Sequence, residues 1–284
     1  MTRRMPRREF VKRGASGAAG LASGPALAGL FGGQYPAPRN PRVPFELGLA
    51  SYTCREFGLD DMLAMARRVG LGRVSLKDVH LPLTATDAEI AAAVGKVRAS
   101  GCTPYGCGVV YMKTPADVER AFAYAKTAGM EIIIGVPDPA LLPLAERKVR
   151  ETGIRLAIHN HGPEDPLYPT PRLVYDRVKD LAPGVGLCLD IGHCRRAGID
   201  PAEAAQVCAP RLLDVHLKDV TAPTKEGTYL EIGRGVIDIP RFLRTLVHLG
   251  FRGTASFEYE KDGKDPLPGL AESVGYVRGV LATL

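Results

Sequence analysis

Between residue 45 and the carboxyl terminus, short apolar or β-branched runs alternate eight times with longer stretches of helical period. The strand candidates are 46–52, 73–79, 104–110, 131–136, 155–159, 186–190, 212–218 and 254–258. Each is followed by a helix candidate. Val118, Ala121, Phe122, Ala125 and Ala128 mark one apolar helix face, and Phe242, Leu243, Leu246 and Val247 mark another. Thr114-Pro115, Asp200-Pro201 and Ile239-Pro240 put proline near a first helical turn, and Gly129, Gly153 and Gly250 follow last turns. Strictly alternating strands and helices imply a parallel sheet. Eight such units in one domain's length predict a single-domain α/β fold closed as a (β/α)8 TIM barrel over 45–284. An open doubly wound sheet is the alternative, but the Gly-x-Gly-x-x-Gly turn that would favour it is missing after the first strand. Gly233-Arg234-Gly235 falls instead between the seventh strand and its helix.

The amino terminus breaks this pattern. Arg3, Arg4, Arg7, Arg8, Lys12 and Arg13 precede an uncharged small-residue run from Gly14 to Leu30, which reads as an address rather than as fold. Arg7-Arg8-Glu9-Phe10-Val11-Lys12 resembles a twin-arginine export signal, and Ala26-Leu27-Ala28 is a plausible cleavage site. Residues 1–28 are therefore expected to be a signal peptide and 29–44 a linker, giving export by the twin-arginine machinery to the periplasm or another extracytoplasmic space. The glycine-interrupted apolar run is too weak for a stable membrane span.

Charge changes the picture of partners. The chain carries a net +6, and the first 28 residues hold six of its basic residues and one acid, so the remainder is left at about +1. A nucleic-acid binder would carry its positive charge on the folded domain, so no nucleic-acid partner is expected. The six cysteines (Cys54, Cys102, Cys107, Cys188, Cys194, Cys208) form no Cys-x-x-Cys pair and read as buried thiols.

Barrel enzymes draw their chemistry from the carboxyl ends of the strands. His159, His161, His193 and His216 end or follow strands five, six and seven, His80 follows strand two, and only His248 lies elsewhere, on the seventh helix. Side chains alternate along a strand, so His159 pairs with His161 on one face, Cys188 with Asp190, Asp214 with His216 and Lys218, and Ser256 with Glu258 and Glu260. Imidazoles and carboxylates converging on neighbouring strand ends suit one borderline divalent ion, manganese first, with cobalt, iron, zinc or magnesium as alternatives.

The segments Leu156-Ala157-Ile158-His159-Asn160-His161-Gly162, Leu189-Asp190-Ile191-Gly192-His193, Val215-His216-Leu217-Lys218-Asp219 and Ser256-Phe257-Glu258 resemble the strand-end motifs of the xylose isomerase-like barrel family. That family includes sugar isomerases and epimerases, inosose and dehydroshikimate dehydratases, and apurinic endonucleases. The resemblance spans strands five to eight, with weaker support from 75–80. It implies that Asp190, His216 and Glu258 are metal ligands, that His193 contacts substrate beside the metal, and that Arg234 lies in a substrate-touching loop. Relatives commonly read Glu-Asn-His on strand five where this chain reads His159-Asn160-His161. The ligand role is carried to His159, with His161 as an alternative or additional ligand.

The function expected on these grounds is a divalent-metal-dependent isomerase or epimerase acting on a carbonyl sugar or polyol. Glu258 would remove a proton next to a polarised carbonyl and His161 or His193 would return one, while Lys77, His80, Lys218 and Arg234 bind the substrate. Lys77 and Lys218 have a plainer reading as ion-pair partners at the barrel mouth. A metal-dependent lyase or dehydratase acting by β-elimination is the close alternative, because one carboxylate of the resembled site is replaced by an imidazole. A phosphodiester hydrolase of the apurinic endonuclease type and a non-catalytic sugar-binding barrel rank lower. The resembled family often forms dimers or tetramers, so a homo-oligomer is an expectation of the resemblance.

Overall fold

The structure, a computed structural model, describes residues 40–284. The leader expected at 1–28 lies outside the described residues, as does most of the linker. Eight parallel strands close into a barrel: β1 (Glu46–Ala50), β2 (Arg73–Leu76), β3 (Thr103–Met112), β4 (Ile132–Pro137), β5 (Arg155–His159), β6 (Val185–Asp190), β7 (Leu212–Leu217) and β8 (Thr254–Phe257). Neighbours in sequence are neighbours in the sheet, and β8 closes against β1. All eight expected strands are present, within a few residues of the limits read from the apolar runs.

The helices pack outside the strands for the reasons their sequences suggest. Helix α1 spans Leu59–Arg68, α2 Asp87–Ala99, α3 Pro115–Ala128, α4 Leu142–Thr152 and α5 Pro171–Val178. Val118, Ala121, Phe122, Ala125 and Ala128 of α3 are all buried. Thr114 caps that helix in a reciprocal capping box with Asp117, and Gly129 ends it in the left-handed conformation at φ 65°. After β6 the chain makes a short extra helix, α6 (Ile191–Arg196), before α7 (Pro201–Cys208). Helices α8 (Ile239–His248) and α9 (Pro266–Ala282) complete the ring.

Two apolar layers result. The larger lies between strands and helices, and the smaller fills the barrel interior with Tyr105, Ile132, Ile134, Ala157 and Cys188. All six cysteines are buried free thiols. Among the described residues no helix is long and apolar enough to cross a membrane.

Strand register is what positions the chemistry. His159 is level with Cys188, Asp190 with His216, and His216 with Ser256, so the carboxyl ends of β5, β6 and β7 bring His159, Asp190 and His216 to one end of the barrel. Beyond β7 a two-residue antiparallel pairing, Asp219–Val220 with Tyr229–Leu230, folds a loop back over that end. Asp219 anchors the loop by accepting hydrogen bonds from the backbone N–H of Gly233 at 2.9 Å, Gly235 at 3.0 Å and Ile237 at 3.2 Å. Gly235 is needed there, since a Cβ would come within 2.2 Å of the Asp219 carboxylate.

Candidate metal centre

Four side chains at or just beyond the ends of four successive strands meet at the carboxyl end of the barrel. His159, Asp190, His216 and Glu258 each offer one ligand atom, and these atoms all lie within 4.8 Å of one another. His159 Nε2 is 3.4 Å from Asp190 Oδ2, and His216 Nδ1 is 3.1 Å from Glu258 Oε2. All four residues are buried. Both ring nitrogens of His159 and Nε2 of His216 have no hydrogen-bond partner, and Oδ2 of Asp190 makes none beyond its ion pair with Lys218 at 3.0 Å. Buried polar atoms are ordinarily satisfied, and unsatisfied imidazole nitrogens beside two buried carboxylates are what an ion-binding shell offers. The donor set of two imidazoles and two carboxylates fits a borderline divalent ion.

The backbone around Asp190 is built to aim it. Asp190 caps α6 by accepting from the His193 N–H at 2.7 Å through Oδ1, which leaves Oδ2 for the shell. The fully buried Asn160 side chain bonds both the N–H and the C=O of Asp190. The same cap places His193 over the site, with its ring centroid 5.8 Å from that of His159 and 5.6 Å from that of His161.

Electrostatics divide the imidazoles into two kinds. Burial pushes His159 down to about 4 and His193 down to about 3, and it lowers His161 as well, so all three are neutral near pH 7. Burial also works against a charged His216, but the Glu258 carboxylate outweighs it and raises that imidazole. Asp190 and Glu258 are held well below the usual carboxylate range, because the Lys218 ammonium overcomes the burial that would raise them.

Lys218 is the principal cation of the site. Its Nζ lies 3.0 Å from Asp190 Oδ2 and 2.7 Å from Glu258 Oε2, and it also donates to Glu260. The sequence paired Glu260 with Glu258 on one face but gave it no role. Tyr229, from the short strand pair, lies under Lys218 with Nζ 5.0 Å from its ring centroid, and 6.1 Å from the ring of His193. Tyr111, near the end of β3, places its hydroxyl 3.1 Å from His161 Nε2. Neither tyrosine carries a sequence motif that marks it.

His161 joins the imidazole group, its ring centroid 4.6 Å from that of His159, outside the quartet of ligand atoms. Lys77 donates to the Val109 carbonyl at 2.7 Å and lines, with Tyr111, a cavity of about 180 Å³. His80 is buried and turned to Ser51, with Nδ1 2.9 Å from its hydroxyl, and none of its contacts is with the quartet. Arg234 is exposed and paired with Glu272 of α9, with Nη2 2.6 Å from the carboxylate. The structure therefore gathers His159, His161, Asp190, His193, His216, Lys218 and Glu258, and leaves His80 and Arg234 apart.

Comparison with known proteins agrees with this geometry. The sequence pattern of the xylose isomerase-like TIM barrel family matches residues 139–280, half of the chain and the part that carries all four quartet residues. The chain belongs to that family. Over 151 residues it is 30% identical to the rhizopine catabolism protein MocC of Rhizobium meliloti, a stretch covering 48% of this chain and 46% of that protein. Among solved structures, the IolI protein with a bound zinc atom superposes with a TM-score of 0.68 at 16% identity, covering 84% of this chain and 99% of that one. A xylose isomerase-like TIM barrel protein from Mycobacterium smegmatis in complex with magnesium gives 0.64 at 19% identity, covering 86% and 99%. At these identities the structural matches establish the shared fold.

Proposed function

We propose that this member of the xylose isomerase-like family is a divalent-metal-dependent isomerase or epimerase acting on a carbonyl sugar or polyol. The observation that carries this reading is the buried quartet His159, Asp190, His216 and Glu258, whose ligand atoms all lie within 4.8 Å of one another. Manganese is the first choice for this mixed donor set, and related barrels hold zinc and magnesium. An ion held there supplies a Lewis acid that polarises neighbouring substrate oxygens.

The chain's own residues supply the proton chemistry. Glu258 is ionised near pH 7 and stands at the inner wall of the mouth, where it accepts a proton from the carbon beside a carbonyl. Glu258 returns that proton to carbon, while His193 and His161, both neutral, flank the quartet and can each take a proton from one substrate oxygen as they give one to another. Tyr111, hydrogen-bonded to His161, fixes that ring at the rim. Lys77 and the cavity beside it hold the remote end of the substrate.

β-Elimination is the second reading, favoured because the strand-five position holds His159 and leaves Glu258 as the evident carboxylate base of the ligand set. Incubation with keto-sugars or keto-inositols in heavy water separates the two. Deuterium in recovered, rearranged substrate supports isomerisation, a growing enone absorbance supports elimination, and the failure of every carbonyl sugar to react contradicts both.

The proposed compartment is extracytoplasmic, by twin-arginine export of the leader at 1–28. Cell fractionation tests it: the protein is expected outside the cytoplasm, and Arg7→Lys with Arg8→Lys is expected to retain it inside.

A further inference from the structure

The oxygens on which Lys218 rests are the ones an ion would need. Oδ1 of Asp190 is taken by the His193 N–H, so Oδ2 is the oxygen available to the shell, and Lys218 Nζ sits 3.0 Å from it. On Glu258 the oxygen 3.1 Å from His216 Nδ1 is Oε2, and Lys218 Nζ sits 2.7 Å from that same atom. An ammonium and a divalent ion cannot share both oxygens at contact distance without strong like-charge repulsion in a buried site.

Glu260 gives the ammonium somewhere to go. Three carboxylates (Asp190, Glu258, Glu260) surround one lysine, an excess of two negative charges that matches one divalent ion. Partitioned one way, Asp190 and Glu258 balance the ion and Glu260 balances Lys218. The lysine stem lies over Gly192, where a Cβ would come within 2.8 Å of Lys218 Cβ and 3.1 Å of its Cδ, so the stem has room only because residue 192 lacks a side chain. The Tyr229 ring, with Nζ 5.0 Å from its centroid, offers a face to the ammonium.

We propose that Lys218 is a resident counter-cation of the metal centre, holding Asp190 and Glu258 in place and yielding them to the ion by withdrawing onto Glu260. This rests on the metal-binding reading given above. Lysine and ion then compete for the same carboxylate oxygens, and Glu260 sets the balance by accepting the displaced ammonium.

The test is a double-mutant cycle read by calorimetric titration of Mn2+ into chelator-stripped protein: wild type, Lys218→Met, Glu260→Gln and the double variant. Lys218→Met is expected to bind Mn2+ about tenfold more tightly and Glu260→Gln about tenfold less tightly. In the Lys218→Met background, Glu260→Gln is expected to change affinity by less than about threefold, because there is no ammonium left to receive. A Glu260→Gln effect of equal size in both backgrounds, or a Lys218→Met protein that binds Mn2+ no better than wild type, overturns the proposal. If Lys218→Met does not fold without metal, Glu260→Gln alone decides: undiminished Mn2+ affinity overturns the proposal. A wild type that binds no Mn2+ removes the metal reading itself, whereas wild-type binding with unchanged variants removes only the role given to Lys218.

Discussion

Asn160 grips the backbone of Asp190 at both ends of the residue: its Nδ2 donates to the Asp190 carbonyl at 3.1 Å and its Oδ1 accepts from the Asp190 N–H at 3.0 Å. Because Asp190 is both a quartet residue and the cap of α6, this clamp fixes the carboxylate and His193 together. Asn160→Ala strands two buried backbone groups, and each unsatisfied group costs about 1–3 kcal/mol. The variant is expected to unfold at lower denaturant and to bind Mn2+ about 10–100-fold more weakly, although Asn160 is not itself among the quartet. Unchanged metal affinity in a destabilised protein would show that the clamp serves folding alone.

Tyr111 and His161 stack with ring centroids 5.8 Å apart and share a hydrogen bond of 3.1 Å. Tyr111→Phe keeps the ring and removes only the hydroxyl. Metal content should stay at the wild-type level while kcat falls by about tenfold, the scale of one lost hydrogen bond to a proton-handling group. Full kcat in Tyr111→Phe would remove His161 from the proton path or show that the hydroxyl does not orient it.

One layer below the site, the fully buried Asp214 has its carboxyl pushed up to about 7 by burial, with His216 and the Cys188 thiol opposing only in part. A folded-state value raised above the ordinary 3.8 means that the native protein holds a proton the unfolded chain releases. Stability from this group is therefore full below about pH 4 and is lost as pH rises toward 7, at no more than about 1.4 kcal/mol per pH unit. Asp214→Asn cannot titrate, so its melting temperature should improve relative to wild type between pH 5 and pH 7.5. A difference that stays constant across that range, or moves the other way, contradicts a protonated Asp214.

His159 and His193 have the opposite sign. Both imidazoles are buried neutral, so the unfolded chain protonates first, near 6.5, and their contribution is lost as pH falls from there toward about 4 and about 3. Chelator-stripped wild type should therefore lose stability below pH 6.5 more steeply than His193→Ala does. Parallel pH profiles for the two proteins would count against a neutral, buried His193.

How much of this the sequence made legible depends on the kind of signal. The eight strands were readable because each is a short apolar run bounded by glycine, proline or polar residues, and register then put His159, Asp190 and His216 at one end of the barrel without further information. Tyr111 lies past the apolar run that ends at Val110, whereas β3 continues through an exposed Tyr111 to the buried Met112. His80 follows the β2 run in sequence, as a site residue would, but the strand ends at Leu76 and a turn carries the ring to Ser51. Tyr229 sits in a two-residue strand, too short to leave any periodicity. A strand carried on past Phe257 would set Glu260 beside Glu258, but the partnership of Glu260 with Lys218 depends on two chain segments 42 residues apart, which no local pattern encodes.

The metal content of purified protein tests the four-residue centre most directly. Wild type and His193→Ala, loaded with Mn2+ and freed of excess, should each hold one ion per chain, with His193→Ala inactive, while His159→Ala and Glu258→Ala should hold less than about a tenth. A wild type that retains no ion, or a His159→Ala protein that retains its full complement, would contradict the four-residue site.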